Sequence, residues 1–439
     1  MVSSQQPTAD KSLIRGIGPW ALTAFAINIT VGAGIFGLPA RIQALVGNYS
    51  IVVLIVCGLL MALIALCFSE VGSRFERSGG PQLFASIAFG PVVGFTAGWL
   101  LWVSRLGTCG AVSNLLVDYG ATVWPPLVRP LARAVTISTL AFVYTWINVR
   151  GIRQTAAVST VFTVSKLFPL IIFAAVGIFF VEPHALTLGS VPRVTDASTA
   201  ILLAAFAFFG FDATTVIAGE VRNAPRSVPF AILLSVGSLV VLYALIQLVC
   251  VGTLPKLAVS QRPLADAATM FFGAWGSSAV AAAAVIACAG GFGASMTAAT
   301  RLLFAMSDQR QLPIALARVH PAFRTPAVAI IVTAGALWLF ALSGSFIYLV
   351  KLTLIARVSV YAITCVTLVV FRHSNSAPEA SFKAPGGEAV AYASALLCVL
   401  FLASSSMREL LDVAVAMVIG LTIFGATQFA SGAAVKRTT

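Results

Sequence analysis

Val31-Gly-Ala-Gly-Ile-Phe-Gly-Leu-Pro39 interrupts the first long apolar run of this 439-residue chain, where a membrane-crossing helix should be continuous. Gly32, Gly34 and Gly37 each weaken a helix by about 1 kcal/mol, and Pro39 by about 3 kcal/mol. Lipid offers no partner to a backbone N–H or C=O released at depth, so the opened segment must satisfy those groups another way. Holding a ligand or an ion on main-chain groups is one such way, and it is the device of secondary carriers. Close packing through small residues is the alternative reading of the glycines. Pro39 and a second interruption further along favour a binding break, because packing requires neither.

Composition sets the wider class. The chain is 59% hydrophobic and 9% charged, with mean hydropathy +0.99. Soluble domains carry about a quarter charged residues, so the sequence reads as a polytopic membrane protein embedded in a lipid bilayer. Its net charge of +13 does not point to nucleic acid, because the basic residues sit at the ends of apolar runs and form no aromatic-interleaved stripe. All seven cysteines lie within apolar runs and none forms CxxC, which supports neither a disulfide framework nor a zinc site. No metal or cofactor is expected. His184, His320 and His373 fall in connecting segments, which excludes a histidine proton relay within the spans. Without HExxH or GxSxG an intramembrane enzyme is not expected, and a channel would want repeated polar pore faces rather than paired breaks. The polar N-terminus lacks the short apolar core of a signal peptide, so the first span is expected to direct insertion.

A crossing of about 30 Å of hydrocarbon needs about 20 residues. On that basis twelve spans are expected, near 17–46, 50–70, 91–117, 131–149, 156–181, 197–220, 228–252, 276–305, 326–343, 346–371, 389–405 and 408–431. With the N-terminus inside, sixteen basic residues fall on the cytoplasmic side, among them Lys11, Arg74, Arg153, Arg222, Arg324 and Lys436. Seven fall outside: Arg41, Arg129, Arg133, Arg193, Lys256, Arg262 and Arg408. The bias places both termini in the cytoplasm. The chain then divides into a cytoplasmic segment 1–16, a core 17–371, two further spans within 389–431 and a cytoplasmic tail 432–439.

The second interruption is Phe208-Phe-Gly-Phe-Asp212, in the sixth span and five spans after the first. Two interrupted helices at matching places are the best sequence pointer to an inverted repeat with a site between the halves. Segments 17–181 and 197–371 would be those halves, inserted in opposite orientations because each holds an odd number of spans.

Four segments resemble the amino acid–polyamine–organocation (APC) transporter superfamily. They are Val31–Pro39, Arg77-Ser-Gly-Gly-Pro81, Gly210-Phe-Asp212 with Glu220-Val-Arg-Asn-Ala-Pro225, and Leu312-Pro313 with Arg318-Val-His-Pro321. The resemblance implies an all-α, LeuT-type 5+5 inverted repeat with discontinuous first and sixth helices plus two extra C-terminal helices. It implies a permease for amino acids or related amines, working by proton symport or by exchange. In that likeness a substrate carboxylate rests on the N–H groups of Ala33, Gly34 and Ile35, approached closely past Gly32 and the other glycines. The substrate ammonium meets carbonyls of Thr30, Val31, Phe206 and Phe209 beside Gly210, and Phe206 matches the place of an aromatic gate.

Charges inside the spans complete the candidate set. Lys166 lies mid-way along the fifth span, where an ammonium must find a partner or give up its proton. It resembles the fifth-span lysine of proton-coupled family members, whose ammonium takes the place of a sodium ion. Its expected neighbours are carbonyls near Thr30 and the hydroxyl of Ser295. Asp212 is the carboxylate expected deep in the membrane, either structurally paired or functional. Arg105, flanked by apolar residues on both sides, is expected to pair with Asp212 or carbonyls, to gate, or to bind an anionic side chain. Lys351 and Arg357 complete this buried set, and Arg357 lies near enough to the cytoplasmic end for its side chain to snorkel. Arg105 favours acidic or neutral cargo and Asp212 basic cargo, so neither the substrate nor the oligomeric state is legible. The compact loops point to a prokaryotic inner membrane.

Overall fold

The computed structural model describes residues 15–77, 79–150, 156–323, 325–374 and 376–438, with backbone only for 156–164 and 431–438. Lys11, Ser78, Arg153 and Arg324 lie outside the described residues, as does the side chain of Lys436.

The elements in chain order are α1 Pro19–Thr30, α2 Ala33–Val46, α3 Ser50–Gly72, α4 Pro81–Phe89, α5 Pro91–Gly120, α6 Pro130–Arg150, α7 Ala156–Gly177, α8 Val194–Ala205, α9 Ala213–Val216, α10 Ala224–Thr253, α11 Pro263–Asp308, α12 Ala327–Ser343, α13 Phe346–His373, α14 Gly387–Ala403 and α15 Met407–Thr438. Besides short 3-10 turns, the regular structure among the described residues includes one isolated bridge, Ile17 to Val221. Among the described residues eight helical segments are long and apolar enough to cross a membrane, and Ser165–Phe180, Ala327–Ser343 and Gly387–Ala403 are shorter apolar helices.

Three local features depart from the expected spans. Helix α4 was not anticipated; Gly80 (φ +56°) turns the chain into Pro81, which starts the helix without needing an N–H partner. Helix α11 begins at Pro263 rather than near 276, and bends at Gly273, whose φ of +67° suits glycine alone. A short helix thus runs into a long one. His373 is the last residue of α13 rather than part of a connection.

Helix α5 is the central strut, packed against α11, α12, α13 and α4. Two of its glycines let α13 come close: a side chain at Gly107 would strike Thr353, and one at Gly110 would lie 2.9 Å from Leu349. Small residues at a helix interface permit such approach where no hydrophobic force drives association. Helix α3 packs on α10 and α8, α1 on α10 and α7, and α2 on α8. Beneath α1, Ile17 N–H donates to Glu220 O (3.1 Å), and Arg222 N–H donates to Ile17 O (2.9 Å). That bridge ties the entry of the first broken helix to the exit of the second.

Candidate functional site

Helix α1 stops at Thr30, whose hydroxyl turns back to Ala26 O at 2.8 Å. Val31 and Gly32 are non-helical, and α2 starts at Ala33 with no side-chain cap. The N–H groups of Ala33, Gly34 and Ile35 therefore have no intrahelical partner. The second break has the same order, one helix ending and another starting. Helix α8 ends at Ala205, a 3-10 turn covers Phe206–Phe208, and the chain stays irregular until α9. The Phe206 carbonyl accepts from the Phe209 N–H at 3.3 Å, which closes that turn on itself.

The breaks touch at two points. A Cβ on Gly34 would lie 2.5 Å from the Cα of Ala207, and one on Gly210 (φ +142°) would lie 2.8 Å from the backbone N of Thr30. Glycine is required at both, for space at the first and for space and dihedral at the second. Between the breaks is a cavity of about 30 Å³. It is lined by Ile29, Thr30, Gly32, Ala33 and Gly34 of the first break, Phe206 and Phe209 of the second, Arg105, Thr108 and Val112 of α5, Gly291 and Ser295 of α11, and Arg357 of α13. That volume holds a few water molecules at most, so the breaks must part to admit anything larger.

Of the residues read from the sequence, Thr30, Gly32, Ala33, Gly34, Phe206, Phe209, Ser295 and Arg105 line the cavity, whereas Val31, Ile35 and Gly210 sit behind it. The Val31 carbonyl was expected to face a substrate; instead it accepts from Lys166 Nζ at 2.9 Å. Lys166 is 1% exposed and also donates to Asn28 O. Its ammonium thus occupies carbonyls of the last α1 turn, which the helix cannot satisfy itself. Ser295 is not among its hydrogen-bond partners in the described residues; the hydroxyl sits on the cavity wall instead.

Asp212, fully buried, receives the Tyr361 hydroxyl on Oδ1 at 2.9 Å. Arg357 Nη1 stands 3.6 Å from Oδ1, and Arg105 Nη2 stands 3.7 Å from Oδ2. Arg357 also donates through Nε to Ser104 Oγ at 3.0 Å and lays its guanidinium over the Phe209 ring, 5.2 Å from the centroid. Arg357 therefore does not snorkel: the approach of α13 to α5 turns it inward, and a carboxylate, a hydroxyl and an aromatic face receive it. Lys351 is not part of this set either. It is only partly buried and pairs with Glu409 of α15 at 2.8 Å. Sequence reasoning missed Arg357 and Tyr361 as site residues. Arg357 has the same apolar flanks that singled out Arg105, and Tyr361 lies one turn further on the same face.

Removing the carboxylate would leave two buried guanidinium groups without a counter-charge. Asp212→Asn is therefore expected to destabilise the fold by about 3–5 kcal/mol, read as a lowered unfolding temperature in detergent. An unchanged unfolding temperature would mean the arginines are neutralised by something else.

Residues 17–431 match the family model described as amino acid permease. The chain belongs to the amino acid permease family. It is a multi-pass membrane transporter of the APC superfamily. The permease is 28% identical to the methylthioribose transporter of Bacillus subtilis (strain 168), over 90% of its own chain and 89% of that protein. It is 26% identical to the branched-chain amino acid permease BcaP of the same organism, over 95% and 94% of the two chains. The serine/threonine exchanger SteT, also from that organism, is 26% identical over 74% of this permease and 75% of its own length.

Proposed function

We propose that the permease carries an amino acid or related amine across a prokaryotic inner membrane by alternating access, driven by proton symport. The observation that carries this reading is the meeting of two broken helices, α1/α2 and α8/α9, across one cavity. The substrate carboxylate rests on N–H groups at the start of α2, where the helix dipole also favours an anion. Its ammonium meets carbonyls at the ends of α1 and α8. Phe206 and Phe209 close over the bound molecule. A site built of backbone reads what all α-amino acids share.

Twelve crossings and a 5+5 repeat, 17–181 and 197–371, belong to the same proposal, with α14 and α15 outside the repeats and both termini cytoplasmic. The packing supports it. Advancing each span by five turns the α1–α10 contact into α8–α3, α5–α13 into α11–α7, and α5–α12 into α11–α6, all of which are present. Helix α4 before α5 likewise corresponds to the short stretch before Gly273 in α11.

Lys166 would couple the cycle to protons. With its proton it holds the end of α1 through Asn28 and Val31; without it that hold weakens and the break is free to move. Exchange is the second reading, favoured by the likeness to a serine/threonine exchanger. Purified protein in liposomes tests both: uptake should saturate, accelerate with substrate on the far side, and respond to an imposed pH gradient. Non-saturable flux indifferent to counter-substrate would overturn the carrier reading.

A further inference from the structure

We infer that this cavity selects a net-negative substrate, an amino acid whose side chain ends in a second carboxylate. The inference rests on the amino acid site proposed above and adds the substrate class.

Arg105 and Arg357 both line the cavity, 2% and 3% exposed, on different helices. Among the described residues Asp212 is the carboxylate within salt-bridge reach of either. Its distances to them, 3.7 Å and 3.6 Å, exceed the roughly 2.7–2.9 Å of a charge-assisted hydrogen bond. Oδ1 is already held by the Tyr361 hydroxyl, and Oδ2 has no hydrogen-bond partner. Arg357 is further pinned by Ser104 and by the face of Phe209. Asp212 therefore compensates the pair only loosely, and both arginines stand in the cavity wall.

Charge arithmetic then separates the candidate substrates. Two arginines and one aspartate leave one excess positive charge in a site shielded from water, which is costly without a counter-ion. A neutral zwitterion leaves that excess unchanged. A cationic amino acid adds a like charge beside it. An amino dicarboxylate brings one net negative charge and neutralises the site, and its planar carboxylate matches the guanidinium fork. The second carboxylate would reach Arg105 and Arg357 while the α-carboxylate and ammonium stay on the helix breaks.

A second feature has the same sign. At the α2, α5, α6, α12 and α13 ends that the proposed topology turns outward, a pocket of about 520 Å³ is lined by Arg41 and Arg133 and by a single carboxylate, Asp118. Arg133 holds Asp118 at 2.8 Å and Asn114 Oδ1 at 2.6 Å, and Arg41 donates to Gln261 Oε1 at 3.0 Å. Positive potential there would draw anions toward the entrance.

The test is competition for uptake by the full-length protein in liposomes, with L-glutamate and L-aspartate set against L-glutamine, L-asparagine, L-leucine and L-lysine. At least one acidic amino acid should compete about ten-fold or more better than its amide, as expected for losing a charge-assisted contact. Arg105→Gln and Arg357→Gln should shrink that gap in the protein that folds, with some loss of thermal stability from the broken buried contacts, and the lysine variants should partly restore it. If an amide, leucine or lysine competes as well as or better than the acids, the charge inference falls while amino acid transport stands. If no amino acid is bound or carried, the proposed function falls and takes this inference with it. Because the wild-type competition decides the matter, a variant that fails to fold does not obscure the answer.

Discussion

Gly34→Val is expected to abolish uptake and lower the unfolding temperature, whereas Gly32→Ala, two residues away, should leave the fold intact. The Cβ of a residue at 34 would stand 2.5 Å from the Cα of Ala207, 2.9 Å from its Cβ and 3.0 Å from its N. Two of these atoms are backbone and cannot step aside by a rotamer change, so the two broken helices would have to separate. Overpacking a well-filled contact costs about 1–3 kcal/mol, and valine adds two methyl groups beyond the first clash. At Gly32 an added Cβ meets nothing within 4 Å, and its φ of −140° lies outside the left-handed region that favours glycine. Gly32 lines the cavity, so substrate affinity should fall without loss of stability. Uptake kinetics and thermal unfolding of the two variants, measured side by side, check the contrast. Wild-type uptake by Gly34→Val would mean that the breaks need not touch at Ala207.

Lys166→Ala is expected to eliminate uptake driven by a pH gradient while counterflow of pre-loaded substrate persists. The ammonium holds the end of α1 through the carbonyls of Asn28 and Val31, beside the Tyr243 hydroxyl that donates to Thr30 O at 3.5 Å. Without it, each carbonyl loses a buried partner at a cost of about 1–3 kcal/mol, so some loss of thermal stability should accompany the change. The cavity lining is untouched, because Lys166 lies behind the first break rather than on the cavity wall. Binding should therefore survive in part. The measurement is uptake with and without an imposed gradient, beside counterflow in the same liposomes. PH-driven uptake that survives the substitution would remove Lys166 from the coupling step.

Which residues serve which purpose changed between sequence and structure. Gly34 reads in the sequence as room for a carboxylate; in the fold its lack of a side chain is taken up by contact with Ala207. Val31 reads as a substrate carbonyl, but Lys166 claims it. Arg357, read as able to snorkel to the cytoplasmic face, is a wall of the cavity, and Lys351 leaves the buried set for Glu409. Each revision concerns a partner on another helix.

The apolar runs, a break within each of Val31–Pro39 and Phe208–Asp212, and the superfamily were legible in the amino-acid sequence, although the first break is confined to Val31-Gly32 and Pro39 lies inside α2. They depend on local properties: hydrophobic length, the weak helix propensity of glycine and proline, and motifs read in order along the chain. The tertiary structure alone decided that Arg105 and Arg357 face one cavity with Asp212 between them. That outcome depends on how far α5 and α13 rotate and approach, which Gly107 and Gly110 permit but no single span encodes. Inside a membrane the pairing of charges follows from the packing of helices, and packing is a property of the assembled fold.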